Sequence, residues 1–171
     1  MSKFGKTIIF SSALVMFNAG IAFGAEWDSG RDHNAQLCFE QTEQVANGAD
    51  PETLSTVNCT RALRVKTLPR EERSAVLYNK GIIQKAQGEL EAAQLSFERA
   101  VSLSRTVDRR NLALAEVARE LGDYRVAMEQ YDLLAESTFV AGSDDVRAAV
   151  FARREETLQQ FEASLHAATP R

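Results

Sequence analysis

The sequence predicts an all-α chain of about three helical hairpins stacked into a right-handed superhelix and closed by a C-terminal capping helix. Three observations predict it. Gly88, Ala93 and Phe97 are followed 34 positions later by Gly122, Ala127 and Tyr131, so Gly-x4-Ala-x3-aromatic occurs twice in register. A fixed step of this kind marks helix-turn-helix units that cannot bury their apolar faces alone and must stack. Only 3 Pro and 9 Gly occur in 171 residues, while Ala, Leu, Glu, Gln and Arg, all good helix formers, dominate the rest. Finally, nothing alternates with period two over a useful length, so no sheet is expected.

The first 24 residues are expected to be a cleaved leader rather than part of the fold. Lys3 and Lys6 give a cationic start, Thr7 to Phe17 is apolar, and Ala22-Phe23-Gly24 offers small residues at both cleavage subsites before Ala25. The apolar run falls short of the ~20 residues a spanning helix needs, which disfavours an anchor. Without the leader, 20 basic residues fall to 18 against 24 acidic ones, a formal charge of −6. That balance argues against nucleic-acid or anionic-membrane binding, and no second apolar run supports stable membrane insertion. The remaining 147 residues suit one domain with a continuous core.

Residues 25–34, AEWDSGRDHN, read as a flexible tether, and residues 35–171 as the helical domain. The first helix is expected over about Ala35 to Ala46, ending at Asn47-Gly48. Asp50 then caps a second helix with Pro51 at its first position, where a missing N–H does no harm, reaching about Lys66. Pro69 starts the third, with Glu71 and Glu72 in the first turn complementing the macrodipole, and Gly88 ends it near residue 87. Helices over about Leu90 to Ser104, Arg109 to Leu121 and Tyr124 to Glu136 follow. Thr138 to Gly142 reads as a loop, after which Ser143 caps a final helix from about Asp144 to His166. Arg153, Arg154, Glu155, Glu156, Gln159 and Gln160 give that helix the polar surface a terminal unit requires.

From Ala75 to Leu103 the chain resembles a tetratricopeptide repeat, through Leu77, Gly81, Gly88, Leu90, Ala93, Phe97 and Ala100. A second, weaker unit over about Arg109 to Ala135 keeps Leu114, Ala115, Gly122, Tyr124, Ala127 and Tyr131, but has Asn111 and Leu134 at the large-residue and late-Ala positions. Together the repeats cover roughly a third of the chain. Small residues at Gly81, Ala93, Ala115 and Ala127 let paired helices approach, and Phe97 and Tyr131 fill the space between hairpins. The arrangement also resembles short exported bacterial proteins in which a cysteine-containing hairpin precedes ordinary repeats, here through Cys38 and the stretch Asn58 to Leu63. That resemblance implies an envelope-located interaction protein, periplasmic or secreted.

Cys38 and Cys59 lie equidistant from the turn at Gly48-Ala49, which puts them at one height on antiparallel helices. Ser55, Thr56, Cys59 and Ala62 form a small-residue face permitting the close approach a disulfide needs. In an exported chain the pairing is chemically permitted, and two buried free thiols are the alternative. A metal site is disfavoured, since no further ligands lie nearby.

The first helix of each hairpin is expected to line a concave groove. At the 34-residue step Tyr78, Leu112 and Val146 form an apolar row and Lys85, Arg119 and Arg153 a basic row, with Ile82, Glu116 and Val150 between them. Phe39 and Glu43 extend the groove into the first hairpin. An apolar floor with a cationic edge suits a protein or peptide partner carrying acidic groups. The rows also admit a plainer reading, in which the apolar one is inter-helix packing and the basic one a solvated face. The Lys/Asn clamp of tetratricopeptide cochaperones is not reproduced, because Tyr78 and Ile82 occupy its positions.

No catalytic constellation is present. His33 falls in the tether and His166 at the end of the last helix, and no nucleophile elbow, phosphate loop or Cys-His pairing occurs. No cofactor is expected. Two non-catalytic readings follow: an adaptor or assembly factor binding an envelope partner in its groove, and a structural subunit that associates with its own copies. The sequence does not set an oligomeric state.

Overall fold

The computed structural model describes residues 32–141 and 143–168, and every regular element among them is helical. The expected leader, residues 25–31 of the tether, Gly142 and residues 169–171 lie outside the described residues. The helices are α1 (His33–Ala46), α2 (Val57–Ala62), α3 (Arg70–Ala86), α4 (Leu90–Leu103), α5 (Arg109–Glu120), α6 (Tyr124–Glu136), α7 (Thr138–Ala141) and α8 (Asp144–Ala168). They pack in succession, α1 on α2 and α3, then α3 on α4, α4 on α5, α5 on α6 and α6 on α8. The architecture is the expected α-α superhelix of three hairpins closed by a terminal helix.

The first helix begins earlier than expected because Asp32 caps it, accepting the Ala35 N–H at 3.1 Å. His33 and Asn34 therefore belong to α1 rather than to a tether.

The second helix is a larger correction. Pro51–Thr53 form a single 3-10 turn, Leu54 is extended at φ −82 and ψ 153, and α2 spans only six residues. Thr53, Ser55, Thr56 and Val57 are poor helix formers whose side chains offer the backbone local alternatives. Thr53 Oγ1 donates to the Asp50 carbonyl at 2.7 Å, Ser55 Oγ accepts the Val57 N–H at 3.3 Å, and Gln41 Oε1 accepts the Ser55 N–H at 2.8 Å. The break turns Leu54 into the core beside Cys38 and Cys59. Gln87 closes the exposed end by donating to the Leu54 carbonyl at 3.0 Å, and Arg73 forks onto the carbonyls of Leu63 and Val65 at 2.6 and 2.8 Å.

The two later hairpins follow the sequence closely. Gly88 and Gly122 sit at φ +77 and +80, the left-handed conformation that ends α3 and α5. In each turn the next residue's N–H reaches back five positions, Glu89 to Gln84 and Asp123 to Ala118. The Asn111 departure from the consensus also has a reason. Its Oδ1 accepts the Asp108 N–H at 3.1 Å to complete a capping box, and its Nδ2 donates to Gln130 Oε1 at 2.9 Å. The buried polar position on the facing helix repeats at the same step, because Ser96 donates to Gln84 Oε1 at 2.6 Å in the preceding hairpin.

Thr138–Ala141 form a short helix instead of a loop, and Phe139 within it packs on the last core cluster. Beyond it the 34-residue step fails. The six buried residues of α5 map onto Asp144, Asp145, Ala148, Ala149, Phe151 and Ala152, of which all but the half-buried Ala149 are exposed. Val150 and Thr157 are buried in their place. Keeping register would have sunk two aspartates into the core, whereas rotating α8 buries Val150, packs the half-buried Val146 on the same cluster and leaves the carboxylates in water.

Candidate protein-binding face

Tyr78 stands on α3 with its ring 5.8 Å from that of Phe97, and the Arg109 guanidinium lies 5.2 Å above its ring. Burial pushes its phenol above the usual range. Ile82 and Tyr78 both pack on the cluster built around Phe97, Ala93, Leu114 and Val117. Leu112 and Val146 likewise pack on the cluster around Ala127, Tyr131 and Val150. The apolar row is thus a half-buried seam between hairpins rather than an open floor. Val150, only 2 % exposed, is core and lines nothing.

The basic row is paired along its whole length. Lys85 Nζ meets Glu120 Oε1 at 2.7 Å, linking α3 to α5. Arg119 meets Glu116 at 3.2 Å and Glu156 at 3.7 Å, while Arg153 meets Glu116 at 3.5 Å and Glu156 at 2.8 Å. The two α5–α8 pairs join residues 37 apart in sequence, a slip of three from the repeat step that accompanies the rotation of α8. Three cations and three carboxylates therefore make a balanced lattice where a cationic edge was expected.

Glu116 is the hub of that lattice. Its Oε1 also accepts the Tyr131 hydroxyl at 2.8 Å. Burial, followed by the charge of and hydrogen bond to Glu116, drives the Tyr131 phenol far above its usual range. Burial works against the charge on Arg119, but the hydrogen bond to Glu116 and its negative charge outweigh it and hold the guanidinium above its usual value. For Arg153 the hydrogen bond to Glu156 does the same. One donor is left over: Arg119 Nε is buried with no acceptor among the described residues.

Phe39 and Glu43 lie on α1, which packs against α3, the first half-buried and the second exposed. Cys38 and Cys59 are joined, with S–S 2.11 Å and Cα atoms 4.8 Å apart, both fully buried. Sequence reasoning missed Glu120 and Glu156 as partners of the basic row and Tyr131 as a partner of Glu116. Glu156 stands three residues after Arg153, a visible helical pairing, whereas the Glu120 and Tyr131 contacts depend on how neighbouring helices are rotated.

Residues 74–107, which run from α3 through α4 to the threshold of α5, match the family model described as tetratricopeptide repeat. The chain contains a tetratricopeptide repeat. No curated protein and no solved structure matches it. The matched repeat supplies Tyr78, Ile82 and Lys85 of the face described above, and α5 supplies Leu112, Glu116 and Arg119. Among the described residues no group of His, Cys, Asp and Glu could hold a metal, and no helix is long and apolar enough to cross a membrane.

Proposed function

We propose that the chain is an exported, non-catalytic adaptor or assembly factor that receives a peptide or helix of an envelope partner along the shared face of α3 and α5. The tetratricopeptide repeat is an interaction module, and its first helices stand side by side here. The observation that carries the reading is the ion-pair lattice on that face. Lys85 is a third exposed and Arg153 about half exposed, so an incoming carboxylate competes with Glu120 and Glu156 for cations already held in position. The cationic, apolar N-terminus and the Cys38–Cys59 bond both suit an oxidising compartment.

Crosslinking the protein in its native envelope tests this directly. Partner crosslinks should fall at Lys85, and capture should weaken in Lys85→Glu and Arg153→Glu while the helical signal is unchanged. Crosslinks confined to other faces would sink the proposal, and a mature N-terminus other than Ala25 would remove the export half of it. The self-associating reading draws on Phe151, which is 48 % exposed on the outward face of α8. A monomer that persists over a wide concentration range in sedimentation eliminates it.

A further inference from the structure

A second surface, lined by residues of α6 and α8, shares none of its lining with the α3–α5 face. Between α6 and α8 runs a groove of about 540 Å³ whose apolar lining is Tyr124, Met128, Leu133, Leu158 and Phe161. Leu133 and Phe161 are 42 % and 38 % exposed, and the Tyr124 and Phe161 rings meet at 6.1 Å across its far end. It follows α6 from Tyr124 to Glu136, about 18 Å at 1.5 Å per residue, or roughly three helical turns. Its apolar part, Tyr124, Met128 and Leu133 of α6 against Leu158 and Phe161 of α8, has the shape to take the apolar face of a third helix.

The charge around the strip says which kind. Glu129, Asp132 and Glu136 line it from α6, with Arg125 the one cation among the lining residues. Arg125 pairs with Glu129 at 3.8 Å and Arg154 pairs with Asp132, which leaves Glu136 unmatched by either. Beyond the lattice's Glu156, residues 157–168 of α8, which supply Leu158 and Phe161 to the other wall, carry Glu162 and no Lys or Arg. A second copy of the 157–168 end of α8 would bring like charge to like and is disfavoured. We infer that the α6–α8 groove docks a cationic amphipathic helix of a partner protein, its apolar side on Leu133, Met128 and Phe161 and its lysines or arginines against Glu129, Glu136 and Glu162.

The test uses the full mature chain and two labelled peptides of about 18 residues. Each carries leucine along one face, and the flanks are lysine in one and glutamate in the other. Anisotropy is measured at about 0.15 M salt, where distant surface charges are screened. The lysine peptide should bind and the glutamate peptide should not. Leu133→Asp, at an exposed position, should weaken binding at least tenfold with the melting temperature unchanged. Joint Glu129→Lys and Glu136→Lys should weaken it as much and let the glutamate peptide bind. The joint variant keeps the test decisive should Leu133→Asp disturb folding. Tyr78→Ala should leave this binding intact, so failure here is separable from failure of the α3–α5 face. Equal binding of both peptides, no binding, indifference to both variants, or a concentration-dependent dimer abolished by Leu133→Asp would each overturn the inference.

Discussion

A methyl group added to Gly81 would stand 2.5 Å from Cε1 of Phe97, with two further ring carbons within 2.8 Å. The two residues lie on the paired helices α3 and α4, and Phe97 is fully buried, so the ring cannot swing away without disturbing the cluster that also holds Tyr78 and Ile82. Glycine here is a condition for the hairpin's closeness.

Gly81→Ala should therefore destabilise by about 1–3 kcal/mol through overpacking, despite the gain in helix propensity of about 1 kcal/mol that the same change brings in an open helix. Phe97→Leu should be damaging alone, yet recover part of the loss when combined with Gly81→Ala. Urea unfolding of the four chains of this cycle measures the coupling, and strict additivity would show that the contact is not responsible.

Asn111→Leu restores the residue type that the repeat pattern favours, yet should lower stability by about 1–3 kcal/mol, because it strands the Gln130 amide and the Asp108 N–H. A thermal melt decides it: a variant more stable than the parent would mean that the buried network contributes nothing.

Replacing both cysteines by alanine should cost about 3 kcal/mol, the loop-closure value for a bridge spanning 21 residues. The loss should appear first in the segment where α2 is shortest. Hydrogen exchange should show amides of α1 and α2 opening while those of α5 and α6 keep their protection. Uniform loss of protection across the chain would contradict a hairpin held mainly by its crosslink.

The Tyr131 phenol, raised in the folded state from an ordinary value of 10.0, predicts an alkaline weakness. Below pH 10 both folded and unfolded chains hold the proton and the stability is fully present. Above it the unfolded chain ionises first, so stability falls as pH rises. Tyr131→Phe should cost about 1.5–3 kcal/mol at neutral pH, the value of a hydrogen bond to a charged group, and should flatten the decline above pH 10. An unchanged slope would assign the alkaline loss elsewhere.

The site was less legible in the sequence than the fold. Tyr78, Ile82, Lys85, Leu112, Glu116 and Arg119 share one face because α3 and α5 keep the repeat step, which spacing alone reveals. Their chemistry did not follow from spacing, since Lys85 finds Glu120 and Tyr131 finds Glu116 across helix boundaries. Arg153, though in step with Arg119, pairs with Glu116 across 37 residues of sequence, and Val150 left the surface altogether.

By itself the sequence determined the hairpins from α3 to α6, down to their glycine turns and aromatic wedges. Those features are local: a left-handed turn needs Gly88 or Gly122, and a close crossing needs Gly81 or Ala115, whatever surrounds them. Tertiary structure decided the two ends. At the first, hydroxyl side chains competing for backbone groups and a buried Leu54 broke the second helix into a turn and a stub. At the last, the cost of burying Asp144 and Asp145 set against the gain from Val146 and Val150 rotated α8 away from the repeat, and that comparison exists only once α6 is there to pack against.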